Sequence, residues 1–379
     1  MILRKLFICF CVFVIVWNIG KVLTAHASEY INTSYWQRYP GLLRVYNDSQ
    51  YANKHPKGWI PDETVNAYAG GAYARGVPPI LIAPDTPPLG RYSIGLSALI
   101  FHNENTMNLL FFIASLSLVY LSAYMMTKSI PWSLVPVVIV TFDPLITNQL
   151  VYTPLLDIIQ LVFLLAALYI FSIGYMKKRR YILFFAGASV FLGLFISTKF
   201  FISGMTIVAA WGISLIITSK YRRLVWLCAT LPISIAILLM SYIRVFILGY
   251  SIREFLGIQK WVFAYHQSQL ILPLTVWPLI YLNRWYVWYG NSPIISDPQW
   301  NILWPIATTV VVITGIGWII RKIRLPDIII PYILWALVYL AFLSTGQTTS
   351  RYLILFMPIA YIISTYGVFL FCSSCKKFF

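Results

Sequence analysis

Charge is what this chain has least of, and negative charge is scarcest. Only 10% of its 379 residues are charged, with 11 Asp and Glu against 28 Lys and Arg. A soluble domain needs about a quarter of its residues charged, so that class is excluded. The remainder is 60% hydrophobic and 17% aromatic, in apolar runs that reach the length of a bilayer crossing. Cysteine is also rare. Cys9, Cys11 and Cys228 lie inside apolar runs, and Cys372 with Cys375 forms a lone CxxC. That excludes a disulfide framework and lacks the second ligand pair of a structural zinc. No residues form a metal site, so no metal is expected. No internal period is visible, against the repeats common in secondary transporters.

What charge there is falls between the apolar runs. Arg4 and Lys5, Lys128, Lys177 to Arg180, Lys220 to Arg223, Arg321 to Arg324, and Lys376 with Lys377 alternate with the runs. Placed together on the cytoplasmic side, they account for 15 of the basic residues beside one acid, Asp327, leaving 13 basic and 10 acidic residues opposite. Such asymmetry is the positive-inside signature, not a polyanion-binding face. Nucleic acid is therefore excluded as a partner, and the bilayer is the first partner expected.

The pattern predicts an all-α polytopic membrane protein of ten or eleven spans. Residues 1–23 read as a signal anchor, although Ala25-His26-Ala27 resembles a cleavage site whose use would leave nine spans. Residues 24–105 read as a long external loop with interfacial helices and two sequons, Asn32-Thr33-Ser34 and Asn47-Asp48-Ser49. A helix is expected from Glu63 to Arg75, weakened by Gly70 and Gly71, and then a proline-broken strap. Residues 106–250 form the core bundle, 251–301 a second external loop with a re-entrant candidate at Leu270 to Leu282, and 302–379 the last spans and a short cytoplasmic tail. Asp143 and Asp157 fall at the outer membrane edge.

The polar stretch Gly58 to Arg91 organises the rest, with adjacent carboxylates at Asp62 and Glu63. A carboxylate at a bilayer boundary must be solvated, paired or used. Arg91, Lys199 and Arg351 project on the same side, either to meet an anion or to snorkel from the boundary.

PDE at Pro61 to Glu63, followed by DTPPLGR at Asp85 to Arg91, resembles the first external loop of the protein O-mannosyltransferases. There an Asp-Glu pair precedes H-P-P-L-G-K; here Thr86 and Arg91 replace its histidine and lysine. GLFISTKFF around Lys199, TPLLDI at Asp157, FAYHQSQL with His266, and RWYVWYGNSPII resemble further motifs of that family. SRYLILFMP at Arg351 resembles the R-Y-L ending of lipid-donor glycosyltransferases more widely. The likeness runs from Asp62 to Pro358. It departs near Tyr152, where the family carries an arginine, and in lacking the luminal carbohydrate-recognition insert of the eukaryotic enzymes.

The resemblance implies a GT-C type helix bundle and an inverting glycosyltransferase. It would move a sugar, mannose first, from a polyprenyl or dolichyl phosphate donor to Ser or Thr hydroxyls of exported protein, with no other cofactor. Asp62 is the expected base, Glu63 its neighbour in the catalytic pair, and Asp85 the alternative base. Arg91, Lys199, Arg351, His266 and Asp157 are the expected donor-phosphate and substrate-binding residues, with Asp157 orienting a cation or capping a helix. The expected location is a prokaryotic plasma membrane with the site outside, or alternatively the endoplasmic reticulum with the site in the lumen. Rival readings are transfer of a pentose, aminopentose or other sugar to a lipid or glycan, a transporter or flippase, and an inactive partner subunit.

Overall fold

The structure, a computed structural model, describes residues 2–199, 201–267, 272–287, 293–320, 323 and 325–375, without the side chains of 265–267 and 373–375. The His266 side chain, Trp288, Tyr289 and the basic residues Arg321, Lys322, Arg324, Lys376 and Lys377 lie outside that set.

All ten apolar segments read from the sequence are largely helical, but their lengths differ. Among the described residues, five helices are long and apolar enough to cross a bilayer: Ile2–Ala25, Thr106–Thr127, Leu156–Met176, Tyr221–Ser241 and Ser350–Cys372. A sixth crossing exists if Ile130–Phe142 and Pro144–Leu150, bent by 70°, are taken together. Pro144 causes the bend, because it has no N–H to continue the ladder and disfavours helical backbone at Asp143. Asp143 is accordingly extended, and its carboxylate caps the second piece by accepting from the Leu145 amide at 3.0 Å. Tyr181–Ile196, Phe201–Ile217, Leu303–Ile319 and Asp327–Leu343 are apolar but have at most 17 residues. At 1.5 Å per residue each falls short of the ~30 Å hydrocarbon core. The expected re-entrant piece is, within the described residues, a seven-residue helix, Val276–Leu282.

Packing follows the apolar pattern. Leu156–Met176 is apolar all round, as a helix enclosed by others must be, and it packs on Thr106–Thr127, Tyr181–Ile196 and Ser350–Cys375. In its apolar window 83% of residues are buried, against 6% for Ile2–Ala25. The first is therefore the centre of the bundle and the second its edge. Leu156–Met176 ends at the basic run Lys177 to Arg180. Near that end Lys220 pairs with Asp327 at 2.7 Å and lies over the Tyr175 ring.

A second core lies in the polar segment before Thr106. Helices Tyr35–Asn47, Asp62–Ala74 and Leu89–Phe101 enclose Tyr35, Tyr39, Tyr46, Tyr68 and Tyr73. Their hydroxyls are satisfied locally where buried: Tyr35 donates to the Ala67 carbonyl at 2.7 Å and Tyr73 to that of Ile82 at 2.9 Å. The glycines that weaken helix propensity here serve contact. A Cβ on Gly70 would stand 3.0 Å from the Gly95 amide nitrogen, and one on Gly95 would stand 2.4 Å from the Gly70 carbonyl oxygen. Asp62–Ala74 and Leu89–Phe101 thus cross backbone to backbone.

Candidate active site

Four segments distant in sequence meet at one end of the bundle. Asp62 is the first residue of its helix, where a carboxylate complements the positive end of the helix dipole. Asp157 is the second residue of Leu156–Met176, in the same first turn. Lys199 follows Tyr181–Ile196, and Arg351 is the second residue of Ser350–Cys375. Gly90 lets these segments close up: a Cβ there would lie 2.8 Å from a Leu156 methyl and 3.0 Å from that of Thr198. The Leu89 amide also donates to the Ser197 carbonyl at 2.9 Å.

The four side chains form a chain of alternating charge. Arg351 bridges both carboxylates, donating through Nη1 to Asp62 Oδ2 and through Nη2 to Asp157 Oδ2 at 2.7 Å. Lys199 Nζ donates to Asp157 Oδ1, and the Tyr51 hydroxyl donates to Asp62 Oδ1 at 3.2 Å. Arg351 stands in a helix first turn, where a cation opposes the dipole; the two carboxylates compensate it. Burial would raise the Asp62 carboxyl, but the Arg351 and Lys199 charges outweigh burial and hold it below the ordinary carboxylate range. For Lys199, burial prevails over the pull of Asp157 and the ammonium is pushed down. Both Asp62 and Lys199 are therefore poised by the same cluster.

The cluster lines a cavity of about 760 Å³ that also takes in Asp85, Thr86, Arg91, Gln160, Asp297 and Gln347. The expected site residues divide here. Asp62, Asp157, Lys199 and Arg351 come together, whereas Glu63 does not line the cavity, since a one-residue step on a helix turns the side chain away. The His266 side chain is not described. Arg91 reaches the cavity wall but is 3% exposed, and its guanidinium donates to Asp85 at 3.2 Å, to Asn66 Oδ1 at 3.2 Å and to the Ala83 carbonyl. In place of an open phosphate cation, Arg91 is a brace that fixes the strap to the helix of Asp62. Among the described residues, no three His, Cys, Asp or Glu side chains converge on a metal-sized site.

Two residues that the sequence reading passed over carried a signal. Asn66 lies four residues after Asp62 and Gln160 three after Asp157, so each shares its neighbour's helix face. Asn66 also donates to the Pro154 carbonyl at 3.3 Å, tying the helix of Asp62 to the approach of Asp157.

This helix bundle has counterparts among solved structures. The fold is a GT-C type transmembrane helix bundle. ArnT from Cupriavidus metallidurans in the apo state superposes with a TM-score of 0.51 at 13% identity, over 82% of this chain and 55% of ArnT. The same protein bound to undecaprenyl phosphate gives 0.52 at 11% identity, over 89% and 59%. The chain thus spans little more than half the length of ArnT. An archaeal oligosaccharyltransferase, AglB from Archaeoglobus fulgidus in complex with an inhibitory peptide and a dolichol-phosphate, covers 95% of this chain and 50% of its own at 10% identity, with a TM-score of 0.48 that carries no argument. No protein-family model and no curated protein matches the chain. With its apolar helices and this GT-C fold, the chain is an integral membrane protein.

Proposed function

We propose that the chain is an inverting glycosyltransferase that moves a sugar, mannose first, from polyprenyl phosphate to a Ser or Thr hydroxyl of exported protein at the outer face of a prokaryotic plasma membrane. The observation that carries this reading is Arg351 bridging Asp62 and Asp157 beside Lys199 in one cavity. Displacement at an anomeric carbon needs a base for the acceptor proton and cations for the departing phosphate, and this cluster holds both kinds of group.

The steps follow from the contacts. The donor phosphate takes charge-assisted hydrogen bonds from Arg351 and Lys199, and Asp157 keeps both cations in position. Drawing Arg351 toward phosphate weakens its hold on Asp62, whose carboxyl then rises toward its ordinary range and becomes a stronger base. The acceptor oxygen loses its proton to Asp62 and bonds to the anomeric carbon from the face opposite the phosphate. The glycosidic bond to phosphate breaks, its electron pair leaves on the phosphate oxygen, and the configuration inverts.

The test is transfer from radiolabelled polyprenyl-phosphate mannose to endogenous protein in membranes, with native chain and Asp62→Asn at matched expression. We expect labelled protein from the native chain and a drop of ~100-fold or more with Asp62→Asn. Equal labelling by both would move the base to Asp85. No labelling by either would discard the sugar or the acceptor. A second reading, transfer of a pentose or aminopentose to a lipid or glycan, draws support from Thr86, which stands where the mannosyltransferase motif has histidine and lines the cavity.

A further inference from the structure

The cavity contains a fourth carboxylate that the charge cluster does not use. Asp85 has Arg91 as its basic partner, and Asp62 and Asp157 share Arg351 and Lys199. Asp297 lines the same cavity at 3% exposure and is in no ion pair among the described residues. Its Oδ1 accepts from the Gln299 amide at 2.8 Å, and among the described residues no donor meets Oδ2. A carboxylate oxygen on a cavity wall with no donor of its own is open to a donor that a ligand brings.

Asp297 is also firmly held. Its own amide donates to Asn283 Oδ1 at 2.8 Å, and it follows a two-stranded antiparallel ribbon pairing Trp285–Tyr286 with Ile294–Ile295. Gln347 Nε2 donates to the Tyr286 carbonyl at 2.6 Å, which ties the ribbon to the turn leading into Arg351. One cavity wall is therefore continuous from Asp297 through Gln347 to Arg351, and it is rich in polar groups: Gln299, Thr345 and Thr348 line it too. A group bonded to a phosphate held by Arg351 would share this cavity with Asp297. Gln160, 3% exposed, lines the same cavity, and its Nε2 has no partner among the described residues. A sugar hydroxyl both donates and accepts.

On the reading in which this cavity binds a lipid-phosphate sugar, we propose that Asp297 is a specificity-determining residue, its Oδ2 accepting hydrogen bonds from hydroxyl groups of the sugar being transferred. It acts on which donor is held and takes no part in proton transfer, which belongs to Asp62. The charge-assisted bond it offers rejects a donor lacking the hydroxyl, because the carboxylate is then left buried and unpaired.

The test measures binding of undecaprenyl phosphate, undecaprenyl-phosphate mannose and undecaprenyl-phosphate glucose to the purified full chain in lipid nanodiscs. It compares the native protein with Asp297→Asn and Asp297→Ala. The Asn variant keeps the Oδ1 acceptor for the Gln299 amide, so folding is guarded, and thermal unfolding checks it. We expect the native chain to hold at least one glycosylated lipid about tenfold more tightly than the bare lipid, and both variants to lose that margin while binding the bare lipid as before. A margin retained in both variants overturns the proposal, as does equal weakening for bare and glycosylated lipids, or a native chain that does not distinguish them. Native protein that binds none of the three lipids overturns the proposed function itself.

Discussion

Two carboxylate centres lie at the ends of membrane helices, and they are built oppositely. Asp143, wholly buried at the bend beside Pro144, is met only by neutral donors: the Leu145 amide, Asn301 Nδ2 at 3.0 Å, Trp304 Nε1 at 3.2 Å and the Tyr361 hydroxyl at 2.6 Å. Asp62 and Asp157 are met by Arg351 and Lys199 on a cavity. The first centre is closed, with each oxygen used twice to join the bend to Leu303–Ile319 and Ser350–Cys375. The second places cations where a ligand can compete for them. Burial alone does not separate a structural acid from a working one; the identity of its partners and their access do.

The comparison can be broken at either centre. The largest expected effect is Asp143→Ala, which leaves three side-chain donors and an amide unpaired and lowers stability by ~3 kcal/mol or more. Denaturation in detergent micelles reads that loss, while transfer per folded molecule stays unchanged. Loss of transfer without loss of stability would reverse the assignment of the two centres.

Next in size is Arg351→Gln. Transfer should fall about 100-fold, and its pH dependence should move in a definite direction. In the native chain Asp62 is held below its ordinary range, so it stays ionised, and its ion pair keeps its stabilising effect, until the pH falls through that lowered value. Without Arg351 the lowering weakens, burial gains weight, and the acid limb of the rate profile shifts to higher pH. An unshifted limb would detach Arg351 from the base.

The smallest effect sharpens the picture without breaking it. Tyr51→Phe removes one donor from Asp62 and should reduce kcat by only a few-fold, with Km for the lipid donor unchanged. A change in Km instead would move Tyr51 from the base to the binding of donor.

Much of this was legible beforehand, for reasons that differ by element. The ten apolar segments are composition made visible, because hydrocarbon admits few alternatives to a helix. Their true lengths were not legible, since small polar residues such as Ser197 and Thr198 can continue a membrane helix as readily as end one. Asp62, Asp157, Lys199 and Arg351, which the fold brings together, stood out because charge at a helix end is rare in this chain and their motifs resemble a family. Asn66 and Gln160 were within reach by helical spacing. Tyr51 and Asp297 were not, because each lies in a loop whose direction only tertiary contacts set. The inward contacts of Arg91 were hidden for a similar reason: nothing local shows that a basic residue after PPLG turns to a carbonyl and an aspartate.

The bond between Asp62 and Arg351 joins residues 289 positions apart. Synthesis from the amino end makes Asp62 early and Arg351 only with the last apolar helix. Throughout that interval the acid has no guanidinium to hold it, and Asp157 has Lys199 alone. The bridge of Arg351 is thus the latest contact of the constellation: it forms only when Ser350–Cys375 seats against Leu156–Met176, on a pair that Asp157 and Lys199 already make.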